Sequence, residues 1–285
     1  MLSAAQHEAV TSEAARPLQI LAGPGSGKTR VLTSRVAHLV RDSAAPIAPE
    51  RCVVVTFTNR AANEMRARLE TMIGADRTRR LVLGTFHAVC VRFLRRWGTR
   101  LGLDPRFTIA DTDDARRLLR DVDRDAPVDA TLAAISRAKA HGWTPDELRA
   151  SAQHAPGSPA HTEHLALCRT YAAYQQQLRT SHALDFDDLL LLGVRLFREH
   201  PELTTHIDHV LVDEFQDTNA VQYELLRRLS RHVSVVGDPD QSIYSWRHAD
   251  VRHIERMHLD FPGLHRVLLE ENYRSTPQIL EAALR

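Results

Sequence analysis

Residues 22–29 read Ala-Gly-Pro-Gly-Ser-Gly-Lys-Thr and lie between an apolar run and a helical pattern. Glycines let the backbone N–H groups of such a turn point inward, where they cradle phosphate oxygens, and the following helix adds its positive dipole end. Lys28 can reach the outer phosphates, and the Thr29 hydroxyl can ligate Mg²⁺. Ala22 stands where the general pattern has glycine, a mild departure. We predict a phosphate site formed by Ala22, Gly23, Pro24, Gly25, Ser26, Gly27, Lys28, Thr29 and Arg30.

Short apolar runs recur along the chain, each followed by polar or glycine-rich residues. They lie at residues 18–21, 52–55, 81–83, 210–212, 233–236 and 267–269. Runs of this kind are typical of strands buried on both faces of a sheet. Helical spacing follows at residues 31–40 and 61–69. This alternation predicts an α/β fold with a parallel sheet, helices on both faces and ligands at the carboxyl ends of the strands.

The pattern changes between about residues 88 and 190, where Arg, Ala, Leu and Asp occur with helical spacing and strand signals are few. Proline interrupts this region at positions 105, 127 and 145 and within residues 155–159. Because proline lacks an N–H donor, it ends helices at such positions. We expect an inserted all-helical subdomain here, with the chain returning to the sheet near Val210.

The composition limits the classes of protein that the chain can represent. It has 285 residues, 43% of them hydrophobic, and a formal net charge of +1. A balanced charge gives no overall basic field, so nucleic acid would have to bind a local surface. The cysteines, Cys52, Cys90 and Cys168, are too scattered for a disulfide framework. No apolar stretch has membrane-spanning length and no signal peptide is indicated, so we expect a cytoplasmic protein without membrane partners.

Two carboxylates follow the apolar run at residues 210–212. Asp213 would hold Mg²⁺ directly or through water, and Glu214 would orient or deprotonate an attacking water. Strands often end in solvated acids, so the pair alone is weak evidence. Together with the glycine-rich turn upstream, it predicts a nucleoside triphosphatase without indicating which one.

Residues 212–218 (Val-Asp-Glu-Phe-Gln-Asp-Thr) resemble the acidic motif of the UvrD/Rep/PcrA group of superfamily 1 DNA helicases. Other blocks resemble this family in the same order, at residues 2–10, 56–62, 84–87, 185–190, 237–247 and 271–275. The resemblance covers nearly the whole chain. It implies a RecA-like P-loop NTPase fold, ATP and Mg²⁺ as cofactors, and single-stranded and duplex DNA as partners. Repair or replication proteins are further candidate partners.

The resemblance also implies roles around the nucleotide. Gln6 would read the adenine edge, since a carboxamide both donates and accepts hydrogen bonds. Tyr273 would stack on the adenine, and Arg274 would reach the γ-phosphate with a permanently charged guanidinium. Gln241 would lie near the γ-phosphate and couple the nucleotide to the DNA surface. The alternatives are an exposed terminal residue for Gln6, a surface salt bridge for Arg274 and a solvated loop residue for Gln241.

Further matched positions are candidates for DNA contact. Aromatic side chains can stack on single-stranded bases, with about 1–3 kcal/mol per base and no sequence preference. Polar and basic side chains can contact backbone phosphates. Without the resemblance, each aromatic residue would be assigned to the core. The predicted DNA-binding residues are Phe57, Asn59, Arg60, Thr85, His87, Tyr244, Trp246 and Arg247, while His248 stands where the family usually has glycine.

The resemblance predicts four segments: a motor domain at residues 1–87 and 191–272, the helical insertion at 88–190, and the start of a second motor domain at 273–285. The family's later motifs would follow Arg285. We therefore expect the N-terminal, ATP-binding part of a 3′–5′ helicase that hydrolyses ATP, a helicase of the isomerase class. The alternative is a truncated fragment that binds ATP and single-stranded DNA without unwinding. A subunit of a nuclease-fused recombination helicase would need sequence beyond this chain.

Overall fold

The computed structural model describes residues 2–152, 155, 157–230, 232–242, 250–276 and 278–279. The chain divides into two compact units. The sheet unit comprises Met1–Val89, His200–Thr218 and Leu226–Arg285. The helical unit comprises Cys90–Glu199 and Asn219–Leu225.

The sheet unit is built on a parallel sheet of six described strands in the order β3-β2-β6-β7-β1-β8. All six apolar runs of the sequence coincide with these strands, except that Leu81 lies just before β3, and the predicted α/β class is confirmed. The four inner strands consist of buried residues apart from one position of β1, as expected where helices cover both faces. The strands are β1 (Leu18–Ala22), β2 (Cys52–Thr56), β3 (Val82–Thr85), β6 (His209–Val212), β7 (Val233–Gly237) and β8 (His265–Leu269).

Helices follow most of these strands, and their ends are set by local signals. In α3, the Thr58 hydroxyl caps the first turn by accepting a hydrogen bond from the Ala61 amide at 3.1 Å. Gly74 ends the helix with a φ of 86°. The described helices of the sheet unit are α1 (Ala4–Thr11), α2 (Lys28–Ala37), α3 (Asn59–Ile73), α4 (Ala75–Arg80) and α12 (Arg252–Asp260), while α5 (Phe86–Trp97) and α11 (Ala220–Leu229) contribute to both units.

Apolar residues of α2 and α3 form one continuous core with the inner strands. Val31 and Val36 of α2, and Leu39 in the π-helical turn that continues it, are fully buried. On α3, Met65 and Leu69 bury one face of the helix in the same cluster. The core fixes the two helices against the sheet and so places the start of each at the carboxyl edge of its preceding strand.

The helical unit contains α6 (Thr112–Val122), α7 (Val128–Ala140), α8 (Pro145–Ala150), α9 (Pro159–Thr180) and α10 (Phe186–Glu199). A short parallel pair, β4 (Thr108–Ile109) and β5 (Ala183–Leu184), departs from the all-helical pattern expected there. Strands of two residues are too short to show a period of two, so the sequence gives no sign of them. Residues 191–199 complete α10 and lie in this unit, beyond the boundary drawn at residue 190. None of the described helices is long and apolar enough to span a membrane.

A buried ion pair organises the helical unit. The Lys139 ammonium on α7 lies 2.6 Å from Asp185 and 2.8 Å from Asp188, and its side chain is fully buried. The rings of Tyr171 and Tyr174 on α9 face the ammonium at 5.7 and 5.5 Å. Burial alone would lower the pKa of Lys139, but the two carboxylates outweigh it and raise that pKa. The charge therefore joins α7, α9 and α10.

We predict that Lys139→Met destabilises the chain by about 3–5 kcal/mol, because it leaves two carboxylates without their cation. Urea unfolding monitored by circular dichroism measures the loss. The matched control is Arg137→Met, an exposed cation on the same helix, for which we expect a change within about 0.5 kcal/mol. Equal losses for the two variants would contradict a stabilising role of the buried pair.

We also predict a pH-dependent effect of Asp187→Asn. Burial, with Asp185 nearby, raises the pKa of Asp187 to about 6. The folded chain therefore binds this proton more tightly than the unfolded chain, and Asp187 lowers stability as the pH rises through about 6. The free energy of unfolding of the variant, relative to that of the unsubstituted chain, should therefore increase as the pH rises from 4.5 to 7.5. The exposed Asp125→Asn serves as control, and a parallel pH dependence for both variants would refute the assignment.

Candidate nucleotide-binding site

Three neighbouring strands end at one edge of the sheet and bring together the segments selected from the sequence. In the order β6-β7-β1, these strands end at Val212, Gly237 and Ala22. The acidic pair, the Asp238 loop and the glycine-rich turn therefore leave the sheet side by side. Neighbouring strands lie about 4.8 Å apart, so β1 and β6 are about 10 Å apart at this edge.

The glycine-rich turn has the backbone shape that its glycines permit. Gly25 and Gly27 have φ values of 70° and 85°, in the left-handed region that glycine adopts without strain. The Ser26 hydroxyl donates to the Gly23 carbonyl at 2.7 Å and closes the turn on itself. Helix α2 begins at Lys28, so its unpaired N-terminal N–H groups lie at the same place.

Lys28 lies at the centre of this edge. Its ammonium donates to Gln241 Oε1 at 3.2 Å and to the Ala22 carbonyl at 3.4 Å, and it lies 3.8 Å from Asp238 Oδ2. Gln241 Nε2 in turn donates to the same Asp238 oxygen at 2.5 Å. The carboxylate of Asp238 thus balances the lysine charge, and phosphate oxygens could replace that carboxylate.

The acidic pair after β6 lies within the field of Lys28. Burial and the neighbouring Glu214 raise the pKa of Asp213 to about 7, while the Lys28 charge acts in the opposite direction. Glu214 has a φ of 49°, a left-handed conformation that costs a non-glycine residue roughly 1 kcal/mol or more. Such strain is found at functional sites, where the fold holds a side chain in a required direction.

Gln216 joins the acidic pair to the loop after β7. Its Nε2 donates to Glu214 Oε2 at 2.9 Å, and its Oε1 accepts from the Asp238 amide at 3.0 Å. A Cβ at Gly237 would lie only 2.8 Å from that same Oε1, so the contact requires glycine there. No role for Gln216 or Asp238 was predicted from the sequence. Asp238 carried the same signal as Asp213, a carboxylate directly after a buried strand.

Gln6 lies beside the phosphate turn but is already hydrogen bonded. It is buried, its Nε2 donates to the Ser26 carbonyl at 2.9 Å, and its Oε1 accepts from the Ser3 amide at 3.1 Å. One N–H and one lone pair remain on the carboxamide for an adenine edge. The exposed Tyr273 side chain lies near the N-terminal end of α1. Its hydroxyl interacts with Ser3, and the charge of Arg30 acts on the same hydroxyl.

Residues 272 and 273 are joined to the glycine-rich turn by one side-chain and one backbone hydrogen bond. The Tyr273 amide donates to the Gly25 carbonyl at 2.9 Å, and Asn272 Nδ2 donates to the Pro24 carbonyl at 2.5 Å. Asn272 Oδ1 also accepts from the Arg274 amide at 2.9 Å. Tyr273 and Arg274 were predicted from the sequence, but Asn272 was not, because its role depends on a contact with a residue 248 positions away along the chain. The Arg274 side chain is exposed.

The predicted DNA-contacting residues form a second group at the same edge, after β2 and β3. Phe57 is half-buried, and Arg60 is exposed with its guanidinium 3.1 Å from Glu64. Asn59 begins α3, Thr85 ends β3 with its hydroxyl accepting from the Ala88 amide at 3.3 Å, and His87 is half-buried on α5. The remaining predicted positions, Tyr244, Trp246 and Arg247 with the neighbouring His248, lie outside the described residues.

The close packing of residues 272–275 on the turn predicts a difference between two glycines. A Cβ at Gly25 would lie 2.7 Å from Arg274 Cβ and 2.8 Å from Asn272 Oδ1, at a φ of 70°. At Gly23, a Cβ would have no atom within 4 Å. Gly25→Ala should therefore lower the free energy of unfolding by about 1 kcal/mol or more, whereas Gly23→Ala stays near neutral. Thermal unfolding measures both, and equal effects would contradict the packing.

Comparison with known proteins places this chain in a family. Residues 2–262 match the model of the UvrD/REP helicase N-terminal domain. A protein named ATP-dependent DNA helicase PcrA from Leuconostoc citreum is 43% identical over 281 residues, covering 94% of this chain and 36% of the relative. The proteins of that name from Staphylococcus epidermidis and Staphylococcus aureus are each 40% identical, over 99% and 98% of this chain and 39% and 38% of their own length. The chain thus spans little more than a third of the length of these relatives. It belongs to the UvrD/REP helicase N-terminal domain family.

Proposed function

We propose that this chain binds ATP with Mg²⁺ and hydrolyses it, as the N-terminal part of a 3′–5′ ATP-dependent DNA helicase. The observation that carries the proposal is the convergence of Lys28 with Asp213 and Glu214 at one edge of the sheet. The lysine follows a turn shaped for phosphate, and the carboxylates follow a strand two positions away. Family membership supports the same activity, since the relatives described above are named ATP-dependent DNA helicases.

The residues present fit a magnesium ion. Asp213 and Thr29 provide hard oxygen donors, which Mg²⁺ prefers. Within the described part of the chain, Asp217 Oδ1 is buried without a hydrogen-bond partner, and burial with Glu214 raises the pKa of Asp217 to about 6. The charged forms of Asp213 and Asp217 are thus disfavoured, and a bound cation at this edge would favour them. When bound, Mg²⁺ would neutralise charge on the phosphate oxygens.

The remaining residues have separate tasks in this proposal. Lys28 exchanges its contacts with Asp238 and Gln241 for the outer phosphates. Glu214, held in its strained conformation, orients the attacking water and accepts its proton. Gln241 is released by Lys28 and turns toward the γ-phosphate, where Arg274 adds a second cation. The Tyr273 ring stacks on the adenine, and the remaining polar groups of Gln6 read its edge.

We further propose that Phe57, Asn59, Arg60, Thr85 and His87 contact single-stranded DNA, together with Tyr244, Trp246 and Arg247. The supporting observation is that the described members of this group follow β2 and β3 at the edge that also carries the nucleotide site. In the longer motor, we propose that residues 1–89 and 200–272 act as one motor domain, 90–199 as an insertion, and 273–285 as the start of the second motor domain. Translocation, duplex unwinding and repair or replication partners belong to that longer protein.

The test is ATP hydrolysis with and without single-stranded DNA, together with binding of a fluorescent ATP analogue. We expect Lys28→Ala to lower turnover about 100-fold or more, because a charged contact to the reacting phosphates is lost. Ser34→Ala, on the same helix, is the control and should retain activity. Lys28-dependent binding without turnover would favour the alternative of a binding fragment. DNA-stimulated hydrolysis that persists in Lys28→Ala would refute the proposal.

A further inference from the structure

Arg35 on α2 is a fully buried cation whose acceptors are backbone carbonyls and one hydroxyl. Its Nη1 donates to the carbonyls of Ala9 and Val10 at 3.2 Å each and of Ser12 at 2.9 Å. Its Nε donates to the Ser234 hydroxyl on β7 at 2.6 Å. Burial lowers the pKa of Arg35 to about 10, so the guanidinium remains charged at neutral pH.

The three carbonyls belong to the last turn and the C-cap of α1. Carbonyls at a helix C-terminus have no partner within the helix and form the negative end of its dipole, so a cation there is favourable. Helix α1 has only eight residues, too few to be stable by itself in water. The position of α1 therefore depends on tertiary contacts, and the Arg35 guanidinium provides three of them.

The opposite end of α1 reaches the nucleotide site. Gln6 lies in its first turn, and its Nε2 donates to the Ser26 carbonyl in the phosphate turn at 2.9 Å. Lys28 and Arg35 lie on the same helix, seven residues or about 10 Å apart along its axis. One rigid helix thus contacts the phosphate site at one end and the C-terminus of α1 near the other.

We propose that Arg35 is a positioning residue for nucleobase selectivity. It holds α1, and thereby Gln6, in a fixed position next to the phosphate turn. The inference rests on the proposed function, in which the chain binds ATP and Gln6 reads the adenine. Loss of the Arg35 contacts would free the C-terminus of α1 and shift Gln6 by small distances. The phosphate contacts of Lys28 and the glycine-rich turn would remain, so triphosphate binding would persist while discrimination between bases declines.

The experiment compares the dissociation constants of fluorescent ATP and GTP analogues for the full chain and three variants, Gln6→Ala, Arg35→Lys and Gln6→Ala/Arg35→Lys. Arg35→Lys keeps the charge but has a compact ammonium that cannot reach Ser234 and three carbonyls in the same geometry. We expect each single variant to lower the preference for ATP over GTP about three- to tenfold, as expected for the loss of one or two hydrogen bonds. The affinity for GTP should change little. The double variant should match Gln6→Ala alone, because Arg35 acts through Gln6.

The controls separate positioning from general destabilisation. Ile73→Ala opens a cavity in the core of the sheet unit and should lower stability without changing the ATP preference. Arg35→Met is a second test variant, since it removes the buried charge entirely and should give the same loss of selectivity if Arg35→Lys fails to fold.

The outcomes separate the adenine-reading role of Gln6 from the positioning role of Arg35. If Gln6→Ala leaves the ATP preference unchanged, the adenine-reading role in the proposed function is wrong. If Gln6→Ala lowers the preference but both Arg35 variants retain it, the positioning role of Arg35 is overturned. A further loss of selectivity in the double variant would also overturn it, because Arg35 would then act independently of Gln6.

Discussion

The Lys28 ammonium organises the candidate site, and its position follows from the order of three strands. Strand β7 lies between β1 and β6, so Asp238 approaches Lys28 from one side while Asp213 lies one strand further away. The ammonium donates to Gln241 and the Ala22 carbonyl and forms an ion pair with Asp238, and phosphate oxygens could replace all three partners. Its charge also opposes the burial that raises the pKa of Asp213. A different strand order would separate Lys28 from Asp238, Gln241 and Asp213.

Hydrogen bonds around Lys28 connect segments that are distant in sequence. Glu214 bonds to Gln216, Gln216 to the backbone of Asp238, and Asp238 to Gln241. Lys28 donates to Gln241 at the other end of this chain of hydrogen bonds. Because Gln216, Asp238 and Gln241 each have two partners in this chain, replacing the Lys28 contacts by phosphate would affect the hydrogen bonds as far as Glu214. A change at the nucleotide therefore has a physical route to the loop that follows β7.

The sequence predicted the elements of this arrangement better than their contacts. The buried strands were recognisable because β-branched runs such as residues 52–55 have no polar alternation. The phosphate turn was recognisable because its glycines and Lys28 lie within eight residues. The role of Asp238 depends on β7 lying next to β1, which no local pattern specifies. The contact of Asn272 with Pro24 and the two-residue strands β4 and β5 lie equally beyond local reasoning.

The central claim is that Lys28 and Asp213 hold one magnesium-bound nucleotide between them. A crystal structure of the chain with Mg²⁺ and a non-hydrolysable ATP analogue tests it most directly. The account predicts Lys28 Nζ within about 3 Å of a β- or γ-phosphate oxygen and an Asp213 oxygen bound to the metal directly or through one water. A nucleotide bound away from the glycine-rich turn, or a metal held without Asp213, would contradict it.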